Sequence, residues 1–509
     1  MSLRKIALLI LIVGFAATVE TAWNLQGDVR FGPEGCRVMG GRFYGPSWSY
    51  EAAGERAVTA AAPRLEIENA FGGVTVSAGA PGVVKVRLRK VVYQPTEEKA
   101  RAFADRIELR LTGDDGIVRV GTNREELGRS QETGFETHFE IEAPAASVAE
   151  LRNEHGRVEL RGLAAADVAS AFDAVAIERV AGDVKLESRH GDVHVEGIGG
   201  TLQLGSRHGR VSVAAVRGAA KLDVQHGDLE ARRTGSIEIA MAHGGLTLET
   251  VEGDLVVRSQ HGDVSGTDVT GGADVESSFG GVRLERVGGE LRARVQHGGV
   301  TASDVSGGAD LETTHDSVTL ERVAGPVQAV VEHGGVEARG LAQGARIRAS
   351  GSSVSLDGFA GPVDVQVERG GARLAPGAAI AAEIAARVTH GDIQLEVPEG
   401  SRFDLEAESQ RGRVDAPLAG LSADDEGRRG QRASGRHAEG GVSVRLDADG
   451  DVTLESRPAR SRSDWTVARP RSSAKQAAEA AASPRPAASP APSATPTPAE
   501  AAPPKPEKE

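Results

Sequence analysis

One cysteine, Cys36, occurs in 509 residues. An internal disulfide and a cysteine-based zinc site are therefore both excluded. Aromatic residues make up only 3% of the chain. That leaves no basic stripe interleaved with rings for stacking on bases. The formal charge of −14 points the same way and argues against nonspecific binding to nucleic acid. Phosphate-binding loops and helical metal motifs are missing too. No apolar run reaches the twenty or so residues that a membrane-spanning helix needs. The N-terminal run, Ile6 to Ala17, is about half that and follows Arg4 and Lys5. A basic start and a short apolar stretch predict a signal peptide over residues 1–22. Because Glu20 disturbs the small-residue cleavage site at Ala22, retention as an N-terminal membrane anchor is the other expectation. Either way the chain is expected to be exported, to the periplasm or the cell envelope or surface.

What the chain has in abundance is glycine, 65 residues of it, and a recurring step. From about residue 155 to 411 a His/Phe-Gly-Xaa-Val motif returns, most often every eighteen residues. Examples are His190-Gly191-Asp192-Val193, His208-Gly209-Arg210-Val211 and His261-Gly262-Asp263-Val264. Apolar residues stand four before the ring (Leu186, Leu204, Leu222), three after it (Val193, Val211, Leu229) and eight after it (Ile198, Val216, Val251). They alternate with polar residues, which is the period of a strand. Three short inward-facing stretches per eighteen residues, joined by tight corners, describe one coil of a parallel β-helix, right-handed by default. A thirty-six-residue period lies over the first: the residue five after the ring alternates between small and large, as in Ala231, Leu248, Gly266, Leu284, Ala302 and Leu320. A duplicated two-coil unit, with a bulky side chain filling the space above a small one, accounts for it. A single wide coil of thirty-six residues is the alternative.

The flanks read differently. Residues 23–62, which hold Trp23, Phe43, Tyr44, Trp48 and Tyr50, are expected to be an irregular linker. Residues 63–150 are expected to form a strand/helix cap over the first coil, with Thr96 capping a helix whose Ala100, Phe103, Ala104 and Ile107 share a face. The repeat domain is expected over 151–457, with Val442–Leu446 and Val452–Leu454 as closing strands. Residues 458–509, rich in Pro, Ala and Ser, are expected to be a disordered tail. The fold class is thus all-β: a solenoid of about eighteen residues per coil between that α+β cap and the tail.

The ring slot is the first place to look for chemistry. It is held by His155, Phe172, His190, His208, His226, His243, His261, Phe279, His297, His315, His333 and His390. Strand parity points these rings inward or into a corner. Interchange with Phe says that the slot wants a flat ring to stack on the next, and an open row is not the four-ligand set of a zinc cage. A structural ladder is the expectation, with no metal, cofactor or catalytic residue. Ser188-Arg189-His190-Gly191-Asp192 contains Ser, His and Asp, but its serine belongs to an inward row that elsewhere holds Val and Thr. Asp192, Asp228, Asp263 and Asp392 read as surface turn residues rather than calcium ligands, because Arg210, Gly245 and Gly281 take the same place. Arg457, Arg460, Arg462, Arg469 and Arg471 form a basic patch that reads as solvated linker.

Leu65-Glu-Ile67-Glu-Asn-Ala-Phe71-Gly-Gly-Val74, Phe139-Glu-Ile141-Glu-Ala-Pro144, the His-Gly-Asp-Val coils and Gly391-Asp392-Ile393-Gln-Leu395-Glu-Val397-Pro398 resemble the bacterial putative-adhesin family of β-helical repeat domains, over roughly residues 63–457. The resemblance implies surface attachment and brings no catalytic residues. The expected function is an exported noncatalytic β-helical protein, an adhesin-like binding surface or cell-envelope scaffold. Its expected partner is an envelope or surface ligand, protein or glycan, with membrane attachment through the N-terminal segment. A polysaccharide-acting β-helix enzyme is the alternative, disfavoured by the short, uniform corners.

Overall fold

The computed structural model describes residues 37–39, 42–44, 46–114, 116–127, 134–425 and 430–458. The expected signal segment, the tail beyond 458 and Cys36 lie outside the described residues. Among the described residues no helix is long and apolar enough to cross a membrane.

Each repeat builds one coil from two strands. In the long strand Val184–His190 the inward side chains are Val184, Leu186 and Ser188; in the short strand Val193–Ile198 they are Val193, Val195 and Ile198. Every second residue is thus buried, and the outward residues between them are free to be charged. Val184 pairs in parallel with Leu202, and Val193 with Val211, one repeat further on. That register makes the eighteen-residue unit the coil and excludes the wide thirty-six-residue one. Long strands form one sheet and short strands the other, and their inner faces share one continuous core that runs from Val58 to Leu454. Twenty-eight strands, Val148–His155 through Ile393–Pro398, make fourteen consecutive coils. The two-coil period is a packing device: Gly266 lies between Leu248 and Leu284 in register, and a Cβ on it would stand 2.8 Å from a Leu284 methyl.

The expected third stretch per coil is not a separate strand. The residue seven after the ring takes a left-handed backbone (Gly197, Ala215, Arg233, Thr250, Asp268, Arg286, Asp304 and Arg322, φ between 52° and 75°). This bend turns the chain so that the next residue, such as Ile198 or Val216, still points inward. The third stretch shrinks to that one residue and the corner after it.

Both ends of the stack depart from chain order. The first coil, Arg64–Phe71 with Val74–Gly79, lies between the coil that begins at Val148 and a layer made later in the chain by Ile117–Thr122 and Gly134–Pro144. Antiparallel strands then close that end: Leu109–Gly113 on one sheet, and on the other Val83–Tyr93 followed by Ser47–Ala57. Residues 47–57, expected to be irregular, are therefore an eleven-residue edge strand. Helix α1, Glu97–Ala104, starts at Thr96, whose hydroxyl accepts the Lys99 N–H. Its Ala100 and Ala104 pack with Val92, Ile107 and Phe135 in a second small core. At the far end Val442–Ala448 and Val452–Arg457, expected to close the stack, instead insert in parallel between the coil Ile384–Pro398 and the later layer of Phe403–Ser409 and Val414–Asp415. Gln431–His437 and Leu421–Asp425 cover the outer edge in antiparallel fashion. The antiparallel strands thus cover the edges of the parallel coils and leave Ser47–Ala57 and Leu421–Asp425 as outer strands.

Candidate functional site: the ring ladder and its flanks

The ring slot closes the long strand, and glycine follows it at a positive φ, 123° at Gly262 and 129° at Gly191. A Cβ on Gly262 would collide with the Gly244 carbonyl of the coil before. Glycine fills this position after most of the rings, where no Cβ stands between successive backbones; Asp173 after Phe172, at φ 75°, and Asp316 after His315 are the exceptions. The strand's alternation ends there, so the ring does not continue the inward row. The histidines therefore stand outside the corner, correcting the inward placement. Phe71 and His155 are half-buried, and every ring from Phe172 to His333 is exposed, Phe172 by 42% and Phe279 by 47%.

Twelve rings from Phe71 to His333 form one unbroken stack, with centroids 4.3–5.3 Å apart and planes within 23° of parallel. The coil spacing dictates that interval, since strands repeat at about 4.8 Å. Arg124 from the cap closes the first end, with Cζ 5.2 Å from the Phe71 centroid and 3.7 Å from that of Phe135. Burial there pushes its guanidinium down to about 10. His390 occupies the equivalent register, beside Arg369, but is not in the stack; its Nδ1 lies 3.4 Å from Asp449, which also binds Arg411. Within the ladder, packing against the adjacent rings draws His208 below the ordinary imidazole value, and the charges of His190, His226 and Arg207 add to this.

The remaining sequence candidates separate. Ser188 is buried within the coil while His190 is exposed outside it, so the two do not converge. The Ser188 and Ser206 hydroxyls are buried without partners, which fits packing rather than nucleophilic use. Asp192, Asp228 and Asp263 each accept a backbone N–H from the next coil, at Arg210, Gly245 and Gly281, over 2.8–3.0 Å. They staple coil to coil at the corner. Arg457 is no solvated linker residue: its guanidinium donates to Glu396 at 2.7 Å and to the Pro376 carbonyl. Burial works against the Glu396 charge, yet Arg373 and Arg457 together hold its carboxyl below the usual range. The other arginines of that patch lie outside the described residues.

Two features escaped sequence reasoning. A row of arginine and acidic residues on the outward face of the long strands joins coil to coil: Lys221–Glu238 at 3.1 Å, Arg258–Glu238 at 3.8 Å, Arg258–Glu276 at 3.5 Å, Arg294–Glu276 at 3.8 Å and Arg294–Glu312 at 3.6 Å. The eighteen-residue step aligns Arg258, Glu276, Arg294 and Glu312, while Glu238 reaches Arg258 diagonally from the outward row it shares with Lys221; the alternation of sign shows only when they are read down the stack. At the left-handed bend, Arg286 grips Asp268 in bidentate fashion (2.6 and 3.1 Å) and Arg322 grips Asp304 (2.7 and 2.9 Å). These bonds raise both arginines and lower Asp304. Among the described residues no group of three or more His, Cys, Asp or Glu side chains forms a ready metal cage.

No curated protein matches the chain. Among solved structures, the crystal structure of a putative cell adhesion protein from Clostridium sporogenes is similar over 80% of this chain and 100% of that one, at 10% identity and a TM-score of 0.14. Residues 305–455 match the Toastrack family, a domain of unknown function (DUF4097), and span the last regular coils together with the inserted pair Val442–Ala448 and Val452–Arg457. The C-terminal part of the stack is thus similar to a Toastrack domain.

Proposed function

We propose that this chain is an exported, noncatalytic scaffold of the cell envelope whose outer rows serve as an adhesin-like binding surface for an envelope polymer. The observation that carries the reading is the ionic row from Lys221 to Glu312, in which alternating charges repeat at the coil spacing and remain about half exposed. Exposed pairs of this kind add little stability, typically about 0.2–1 kcal/mol each. A regular line of charge does supply complementarity to an extended ligand that carries its own repeating groups. The concavities are shallow by contrast. One, of about 270 Å³, is lined by Arg157, Asp192, His194 and Arg210; another, of about 490 Å³, by Arg387, Glu406, Arg432 and Arg445. Both suit side-on contact better than enclosure of a small substrate.

The test is a glycan array and an envelope-protein overlay with the full chain, repeated with Arg258→Glu and Arg294→Glu together. Retention of a defined polymer by the wild type, with at least a tenfold loss in the double variant, supports the reading. Release of new sugar ends from a bound polysaccharide, or binding that ignores the charge reversal, overturns it.

A further inference from the structure

We propose that the exposed edge of the ring ladder binds divalent transition-metal ions, one ion per neighbouring pair of histidines, so that the full chain takes up three. At His315 and His333 the Nδ1 atoms lie 3.2 Å from the carbonyls of Gln296 and Thr314. A carbonyl only accepts, so each Nδ1 carries the hydrogen and each Nε2 keeps its lone pair on the exposed side. Anchoring one imidazole nitrogen on a backbone carbonyl is the support that orients a ligating histidine elsewhere. Imidazole suits zinc, copper and nickel rather than calcium or magnesium.

Geometry limits each ion to two rings. Ring centroids repeat at about 4.8 Å through the run from His190 to His261. Two nitrogens on one tetrahedral ion, each at ~2.0–2.1 Å, stand ~3.4 Å apart. A pair must therefore lean together, which exposed side chains do by small torsional changes while loosening contact with the rings outside the pair. A third ring in the row is then too far to join, and water completes the shell. This is why an open row forms no ready cage and still offers sites.

The phenylalanines set the count. His155 is isolated between Phe71 and Phe172. His190, His208, His226, His243 and His261 form a run of five, which Phe279 ends; His297, His315 and His333 form a run of three. Five rings yield two pairs and three rings yield one. This inference stands apart from the envelope reading, since metal uptake needs only the ladder.

Zinc titration of the chelator-treated full chain, without an added histidine tag, tests it by calorimetry at pH 7.5. Phenylalanine already fills three ladder slots, so His→Phe variants keep the stack, as unchanged thermal melting in chelator verifies. The wild type is expected to take up three ions. His315→Phe, which isolates His297 from His333, lowers the count to two. His155→Phe and His226→Phe both leave it at three, the latter because His190–His208 and His243–His261 still pair. Absence of zinc uptake, an unchanged count in folded His315→Phe, or a lowered count in His226→Phe overturns the proposal.

Discussion

At the ring corner the chain turns on glycine; at the bend six residues later it turns on Ala215, Arg233, Thr250, Asp268 or Arg286. Both turns hold a positive φ, yet the first is glycine in most coils, with Asp173 and Asp316 as the exceptions, whereas the second mostly carries a side chain. The difference is room. At the ring corner a Cβ on Gly262 or Gly280 would run into the carbonyl of the coil before. At the bend a Cβ on Gly197 would lie 3.4 Å from the Arg179 backbone, ordinary contact. The bend therefore bears the strain of a left-handed L-residue, about 1–2 kcal/mol, without collision. In return it gains an outward side chain, which Asp268 and Arg286 use to pair across coils.

The sharpest way to break this contrast is to add one methyl at each turn. Gly262→Ala combines a φ of 123° with backbone collision and is expected to cost at least about 3 kcal/mol. Gly197→Ala, at φ 75° with only ordinary contact to Arg179, should cost only about 1 kcal/mol. Chemical denaturation of the two variants checks the pair. Equal losses would mean that room does not separate the corners.

Mild acid probes the ring corner. His208 lies below its ordinary value because packing between rings strips water from it and because His190, His226 and Arg207 repel a further charge. A histidine whose folded value is depressed contributes stability that is complete above its unfolded value. That contribution is lost as pH falls through about 6.5 toward the folded value. Melting in chelator should thus drop between pH 7.5 and pH 5, and the drop should shrink in His208→Phe. A pH-independent melt would show that the rings titrate without cost.

How much of this contrast the residues announce differs between the corners. The ring corner is legible because His/Phe-Gly recurs at a fixed step and because every coil needs the same core. Its direction is not, since counting strand parity through a corner places the rings inside; the alternation has already stopped when His190 is reached. The bend is nearly invisible: only Gly162, Gly197, Gly340 and Gly358 flag a left-handed residue there, and Thr250 or Arg233 give no such sign. The inserted end coils are hidden for another reason. Pairing of Ile384 with Val444 depends on which edge is free when the chain returns, a nonlocal fact that no period encodes. Ser47–Ala57 escaped because Ala52, Ala53 and Gly54 leave its alternation too weak to read.

The bend offers the converse test, a gain. Thr250 holds φ at 60° although a β-branched residue is among the least suited to that region. Replacing it with glycine relieves strain in the native coil but gives the unfolded chain more freedom, and the two effects oppose. Strain of about 1–2 kcal/mol exceeds the loss of about 0.4–1 kcal/mol, so Thr250→Gly should stabilise by roughly 0.5–1 kcal/mol. Arg286→Gly relieves the same backbone but also removes the bidentate grip on Asp268, an interaction of about 0.5–1 kcal/mol at this exposure. Its net change should lie near zero. The difference between the two substitutions, read from denaturation midpoints, measures what the side chain adds at the bend. If Arg286→Gly stabilises as much as Thr250→Gly, the cross-coil pair contributes nothing and the bend keeps its side chains for another purpose.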